Sequence, residues 1–208
     1  MTGTPTESDE AENERHREKA RKHKAARDKI MATKTGEKGL LIVHTGTGKG
    51  KSTAAFGLAL RMLGRGKRVG VVQFIKGAWQ SAERDALQTF GDQVVWHTMG
   101  EGFTWDTQDL KRDIAAAERA FAKTRELMAD PTLALLILDE LNIALRYDYL
   151  DLASVIATLG ARRPDLHIVV TGRNAKPDLI AAADLVTEMS LVKHHFAAGV
   201  KAQPGIEF

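Results

Sequence analysis

The sequence predicts an α/β fold of about six mostly parallel strands with helices on both faces, and three features carry that expectation. Short apolar runs of strand length recur at residues 40–44, 69–74, 94–98, 133–138, 166–170 and 185–191. Segments with apolar residues at helical spacing separate most of them. Between the first run and the helix after it lies Thr45-Gly46-Thr47-Gly48-Lys49-Gly50-Lys51-Ser52, a glycine-rich strand-to-helix turn. Such a turn opens a parallel βαβ unit, here residues 40–74, with a right-handed crossover.

Each element follows from its pattern. A helix is expected from Thr53 to Leu63 because Phe56, Ala59, Leu60 and Leu63 fall on one face, and Gly64 and Gly66 stop it. Ala82 to Phe90 reads as a second helix through Ala86, Leu87 and Phe90. A long amphipathic helix is expected from Asp109 to Met128, with Leu110, Ile114, Ala117, Phe121 and Met128 near one stripe, ended by Asp130-Pro131. Shorter helices are expected from Leu152 to Leu159 and from Pro177, which suits a first helical turn, to Ala183. Residues 192–205 read as a loop, and its adjacent His194 and His195 as non-metal, since neighbours in an extended chain point to opposite sides.

Composition bounds the rest. A chain of 208 residues with 43% hydrophobic residues buries one sizeable core, so one domain is expected at residues 39–208. Residues 1–38 hold 10 Lys/Arg and 8 Asp/Glu with Ile30 as the sole Leu, Ile, Val or Phe, and form a charged tail that becomes helical on contact. A net charge of +3 does not call for nucleic acid. The chain has no cysteine, which excludes disulfides, thiolate metal sites and a cysteine nucleophile. No apolar run approaches the roughly 20 residues of a membrane span, and no signal-peptide core opens the chain, so a cytoplasmic, membrane-free protein is expected.

The glycine-rich turn defines the chemistry. Its backbone N–H groups, the positive end of the helix that follows and the Lys51 charge suit a triphosphate, while the Ser52 hydroxyl suits Mg²⁺. It departs from G-x-x-x-x-G-K-[ST] in having Thr45 where the first glycine belongs and glycine one place later. Asp139-Glu140 closes the buried run 133–138 as a metal-side acidic pair, which completes a P-loop NTPase (RecA-like) layout. Lys76, in the loop Ile75-Lys76-Gly77, and Arg173, after the fifth strand, are further phosphate contacts at the ligand-facing edge. Gly102-Phe103-Thr104-Trp105 sets two aromatics on a loop at that same edge, as a platform for a flat apolar ligand or as anchors to the core.

The strings Thr45 to Gly57, Val71-Val72-Gln73-Phe74-Ile75-Lys76-Gly77, Gly102-Phe103-Thr104-Trp105 and Val192-Lys193-His194 together resemble the ATP:corrinoid adenosyltransferases of the cobalamin-biosynthesis (CobA/CobO/BtuR) type, over residues 39–208. Ser52 stands where that family commonly has threonine, and Thr47 where it has asparagine. The resemblance implies transfer of the 5′-deoxyadenosyl group of ATP to the cobalt(I) of a corrinoid, cobalamin or cobyrinic acid a,c-diamide, with release of triphosphate. Cobalt(I) has no proton to lose, so no general base is needed. ATP is expected on Thr45, Gly46, Thr47, Gly48, Lys49, Gly50, Lys51, Ser52, Thr53, Lys76 and Arg173, and Mg²⁺ or Mn²⁺ on Ser52, Asp139 and Glu140. Phe103 and Trp105 would press on the lower corrin face and displace its axial ligand, making cobalt(II) easier to reduce. A homodimer whose N-terminal helix closes a neighbouring site, and an electron-donating flavoprotein or reduced flavin, are implied as well. No D-x-H-x-x-G corrinoid motif is present, since Asp165-Leu166-His167 is followed by Val170 in place of the glycine. The alternative is a P-loop NTPase or kinase in which Glu140 activates attack on the γ-phosphate.

Overall fold

A computed structural model describes residues 7–75, 81–99 and 109–206. The chain divides into two compact units, Met1–Glu37 and Lys38–Phe208. The first is a helix, α1 (Glu7–Ala32), where the sequence suggested order only on contact. Its first half carries Glu10, Glu12 and Glu14 and its second half most of the lysines and arginines, which complements the helix dipole. Exposed pairs such as Lys22–Glu18 at 2.9 Å add a few tenths of a kcal/mol each at about the level of surface ion pairs. No apolar stripe runs along it.

The second unit is built on six strands, β1 (Leu41–Thr45), β2 (Arg68–Gln73), β3 (Val94–Thr98), β4 (Leu133–Asp139), β5 (His167–Thr171) and β6 (Leu185–Glu188). They form one sheet in the order β3-β2-β4-β5-β1-β6, and every adjacent pair is parallel. Between them run α2 (Lys51–Leu63), α3 (Ala82–Gln88), α4 (Leu110–Ala129), α5 (Leu141–Arg146), α6 (Leu152–Gly160) and α7 (Pro177–Ala182). Among the described residues no helix is long and apolar enough to cross a membrane.

Strand alternation sorts the core into two layers. Leu135 and Ile137 of β4 join Ala55, Phe56, Ala59 and Leu63 of α2 and Leu87 of α3 on one face. Leu136 and Leu138 join Ala117, Ala120 and Phe121 of α4 and Val155 and Leu159 of α6 on the other. This is why β4 reads as an unbroken apolar run: a central parallel strand is covered on both sides. Asp109 caps α4 by accepting the Arg112 N–H at 3.2 Å, and Asp151 caps α6 by accepting the Ser154 N–H at 2.8 Å.

Three expectations need correction. The sixth strand ends at Glu188 and not at Leu191, because the chain then turns across the glycine-rich loop. The helix expected from Thr53 begins at Lys51, two residues early, since Gly50 in the left-handed region (φ 98°) opens it. Leu141–Arg146 forms a helix that the sequence reading missed, starting directly after a left-handed Glu140 (φ 62°).

Candidate functional site

The parallel strands all end on one edge of the sheet, and the loops there bring Thr45–Ser52, Asp139–Glu140 and Arg173 together. Gly46 (φ 95°) and Gly50 (φ 98°) adopt a conformation that costs an ordinary residue about 1 kcal/mol or more. Gly50 is the N-cap of α2 without any side-chain cap, so the first N–H groups of this helix stay open to an anion. Thr47, Lys49 and Thr53 are exposed at the mouth, and Thr45 is buried with its hydroxyl accepting the Ala175 N–H at 2.9 Å.

Lys51 is 7% exposed. Its Nζ donates to the carbonyls of Gly46, at 3.1 Å, and Gly48, and so lies inside the loop it serves. Burial pulls its pKa below the usual lysine value of 10.5; Glu140 acts in the opposite sense, and Arg173 and Lys49 add to the lowering. Those influences place three charged groups around one ammonium. A triphosphate would supply the missing counter-charge.

Asp139, fully buried at the end of β4, holds the second cluster. Its Oδ1 accepts the Ser52 hydroxyl at 2.7 Å and the Thr171 hydroxyl at 2.8 Å, while Oδ2 accepts Gln73 Nε2 at 3.0 Å. Because the Ser52 proton is spent on the carboxylate, its lone pairs are left for a cation. This oxygen set suits a hard ion held by one hydroxyl, phosphate oxygens and water. Among the described residues no group of three or more His, Cys, Asp or Glu could hold a metal by itself.

Glu140 is half-buried, and its Oε2 would lie 3.0 Å from a Cβ placed on Gly172, so the carboxylate rests against the backbone that carries Arg173. Arg173 is exposed. Lys76, Phe103 and Trp105 lie outside the described residues.

Sequence reasoning missed Gln73, Thr171 and Met189. Gln73 and Thr171 are each the polar last residue of a strand whose middle is apolar or glycine, a signal that was legible in the sequence. Met189 left none, since its contribution is a backbone carbonyl that accepts the Gly48 N–H at 2.6 Å.

A family model described as "ATP:corrinoid adenosyltransferase BtuR/CobO/CobP" matches residues 37–208, and a second, "Cob(I)alamin adenosyltransferase N terminal", matches residues 5–31. The chain is 56% identical over 206 residues to a corrinoid adenosyltransferase of Sinorhizobium sp., covering 98% of this chain and 95% of that one. A corrinoid adenosyltransferase of Pseudomonas aeruginosa is 55% identical over 196 residues, 94% of this chain and 97% of that one. The CobA corrinoid adenosyltransferase of Salmonella typhimurium is 45% identical over 94% of this chain and 99% of that one. Among solved structures, that of the RadB recombinase overlaps with a TM-score of 0.46 at 16% identity, over 75% of this chain and 77% of that one. With a buried Lys51 inside a modified phosphate loop, a Ser52–Asp139 pair beside it and these matches along nearly its whole length, the chain belongs to the ATP:corrinoid adenosyltransferase family.

Proposed function

We propose that this protein transfers the 5′-deoxyadenosyl group of ATP to the cobalt(I) of a corrinoid, with the phosphate loop holding the leaving group. The cobalt lone pair forms the cobalt–carbon bond at C5′, the C5′–O bond breaks, and the electron pair leaves with triphosphate. The observation that carries this reading is the pairing of a buried cationic loop, Lys51 inside Thr45–Ser52, with an Asp139 carboxylate already committed to three hydrogen-bond donors. Such a site stabilises negative charge, and Asp139, so committed, is not available as a general base.

Lys51, the α2 N-terminus and the exposed Lys49 and Arg173 would hold the triphosphate as charge gathers on it, and Thr53 would join at the helix start. Ser52 and Asp139 would hold Mg²⁺, directly and through water, with Glu140 next to them; the ion would neutralise phosphate charge. Lys76 would add a contact, and Phe103 and Trp105 would lie against the corrin and favour loss of its axial ligand. A homodimer in which α1 closes a neighbouring site, a cytoplasmic location and a flavin-based electron donor belong to the same reading.

Incubation with ATP, Mg²⁺ and chemically reduced corrinoid should yield triphosphate and a light-sensitive cobalt–carbon bond in equal amounts. Orthophosphate without corrinoid alkylation would sink the proposal and favour attack at the γ-phosphate. Trp105→Ala should impair the reaction begun from cobalt(II) much more than one begun from preformed cobalt(I), whereas equal losses would leave the aromatic loop a packing role only.

A further inference from the structure

A row of hydrogen-bonded side chains crosses four strands at the carboxyl edge of the sheet. On β3, Trp96 Nε1–H and the Thr98 hydroxyl donate to Gln73 Oε1 at 3.1 and 3.0 Å. From β2, Gln73 Nε2 donates to Asp139 Oδ2 on β4 at 3.0 Å. Asp139 Oδ1 accepts from Ser52 on α2 and Thr171 on β5, and the Thr171 hydroxyl in turn accepts the Glu140 N–H at 3.0 Å.

Donor and acceptor types fix the direction of this row. The indole N–H of Trp96 can only donate and the Asp139 oxygens accept from three donors, so the Gln73 amide has one orientation that satisfies both. Gln73 is 3% exposed and uses both ends of its amide. Thr98 and Met99 are also the last described residues before Phe103 and Trp105 in the chain, and the Met99 N–H donates to the Gln73 carbonyl at 3.0 Å.

We propose that Gln73 is a positioning residue for the metal–nucleotide site: it fixes the Asp139 carboxylate opposite Ser52 and ties that orientation to the end of β3. The inference rests on the reading of Ser52 and Asp139 as the metal-side pair. Without Gln73, Asp139 Oδ2 loses its partner in a buried place and the Trp96 N–H keeps only the Thr98 hydroxyl, so the carboxylate is held from one side alone, through Oδ1. Partners one step removed from a metal site change metal affinity when deleted, by about 10- to 100-fold. The coupling is reciprocal, so a disturbance at Thr98 reaches Asp139 by the same bonds.

The test uses the full chain and needs no turnover. Mn²⁺ is titrated by electron paramagnetic resonance with and without ATP, ATP binding without metal is measured by calorimetry, and thermal melts monitor the fold. Gln73→Leu, which keeps the volume, should weaken Mn²⁺ binding in the presence of ATP by about tenfold, with metal-free ATP binding changed less than about threefold. Thr98→Val changes an exposed position, should keep the wild-type melt, and should give a smaller loss in the same direction, about threefold. Wild-type Mn²⁺ binding by Gln73→Leu overturns the positioning role, and wild-type binding by Thr98→Val overturns the tie to β3, including where Gln73→Leu does not fold. Equal losses with and without metal also overturn it, because they would mean general damage to the nucleotide pocket. Asp139→Asn separates the premises: if it too binds Mn²⁺ and ATP as wild type does, the reading of the metal pair has failed.

Discussion

The Gly48 N–H donates to the Met189 carbonyl at 2.6 Å, so the chain leaving β6 lies directly on the phosphate loop. A Cβ on Gly48 would stand 2.7 Å from that oxygen, and one on Gly46 2.5 Å from it. Both glycines are demanded by a neighbouring backbone, and Gly46 by its own torsion as well (φ 95°).

Gly48→Ala should therefore act through crowding. The melt should fall by the equivalent of about 1–3 kcal/mol, and the KM for ATP should rise about tenfold. Gly57 in α2 is the contrast: it is exposed, with nothing within 4 Å of an added Cβ. Gly57→Ala should raise stability by about 0.5–1 kcal/mol and leave the KM unchanged, as read by melts and steady-state kinetics.

Ser52 and Asp139 should respond unequally to substitution. Ser52→Thr keeps the hydroxyl and should retain activity, whereas Ser52→Ala should lower kcat/KM about 10- to 100-fold and raise the Mg²⁺ needed for half-maximal rate. Asp139→Asn places an amide opposite Gln73 Nε2 or Ser52, setting donor against donor, and should lose more than Ser52→Ala. Initial rates against Mg²⁺ concentration check both.

Lys51 should take up protons when nucleotide binds. Its pKa is lowered in the free protein, mainly by burial, and a triphosphate would restore it. The uptake is absent well below the lowered pKa, where Lys51 is already charged, and grows as pH rises through it towards the usual 10.5. Calorimetry of ATP binding at alkaline pH, in buffers of different ionisation enthalpy, reads it directly. Lys51→Arg, which stays charged, should abolish it.

Asp184 gives the body an acid-labile tie. Its carboxylate meets Lys38, accepts the Leu41 N–H at 2.9 Å and pairs with Arg162 at 2.9 Å, and its pKa is lowered chiefly by the Lys38 hydrogen bond, then by Leu41. A depressed carboxylate stabilises the fold above its unfolded value, near 3.8, and loses this contribution as pH falls through the folded value. Asp184→Asn should cost about 1 kcal/mol at neutral pH, discounted for exposure, and the gap to wild type should close in acid. Denaturant melts at pH 7 and pH 3 make the comparison.

The Lys51–Ser52 loop, the Asp139–Glu140 pair and all six strands were legible because each is a local signal: a glycine pattern, an acid at the end of an apolar run, or a run of strand length. The short helix after Glu140 was not, because the residue that starts it is a non-glycine in the left-handed region, held there by its N–H bond to Thr171 on another strand. Gln73 and Thr171 were visible as polar strand ends, but their shared partner was not, since strand order is a property of the sheet and not of the chain.

By itself the sequence determined a glycine-rich loop suited to a nucleoside triphosphate at the edge of a parallel sheet, since phosphate chemistry needs Gly, Lys and Ser at fixed spacing. Tertiary structure decided what surrounds that loop. The order β3-β2-β4-β5-β1-β6 sets β2 and β5 on either side of β4, and so aims Gln73 and Thr171 at one carboxylate. The same order sets β6 beside β1, where its departing backbone closes over Gly46 and Gly48. Contacts between residues far apart in sequence depend on which strands become neighbours, and that is settled by burying both faces of the sheet at once.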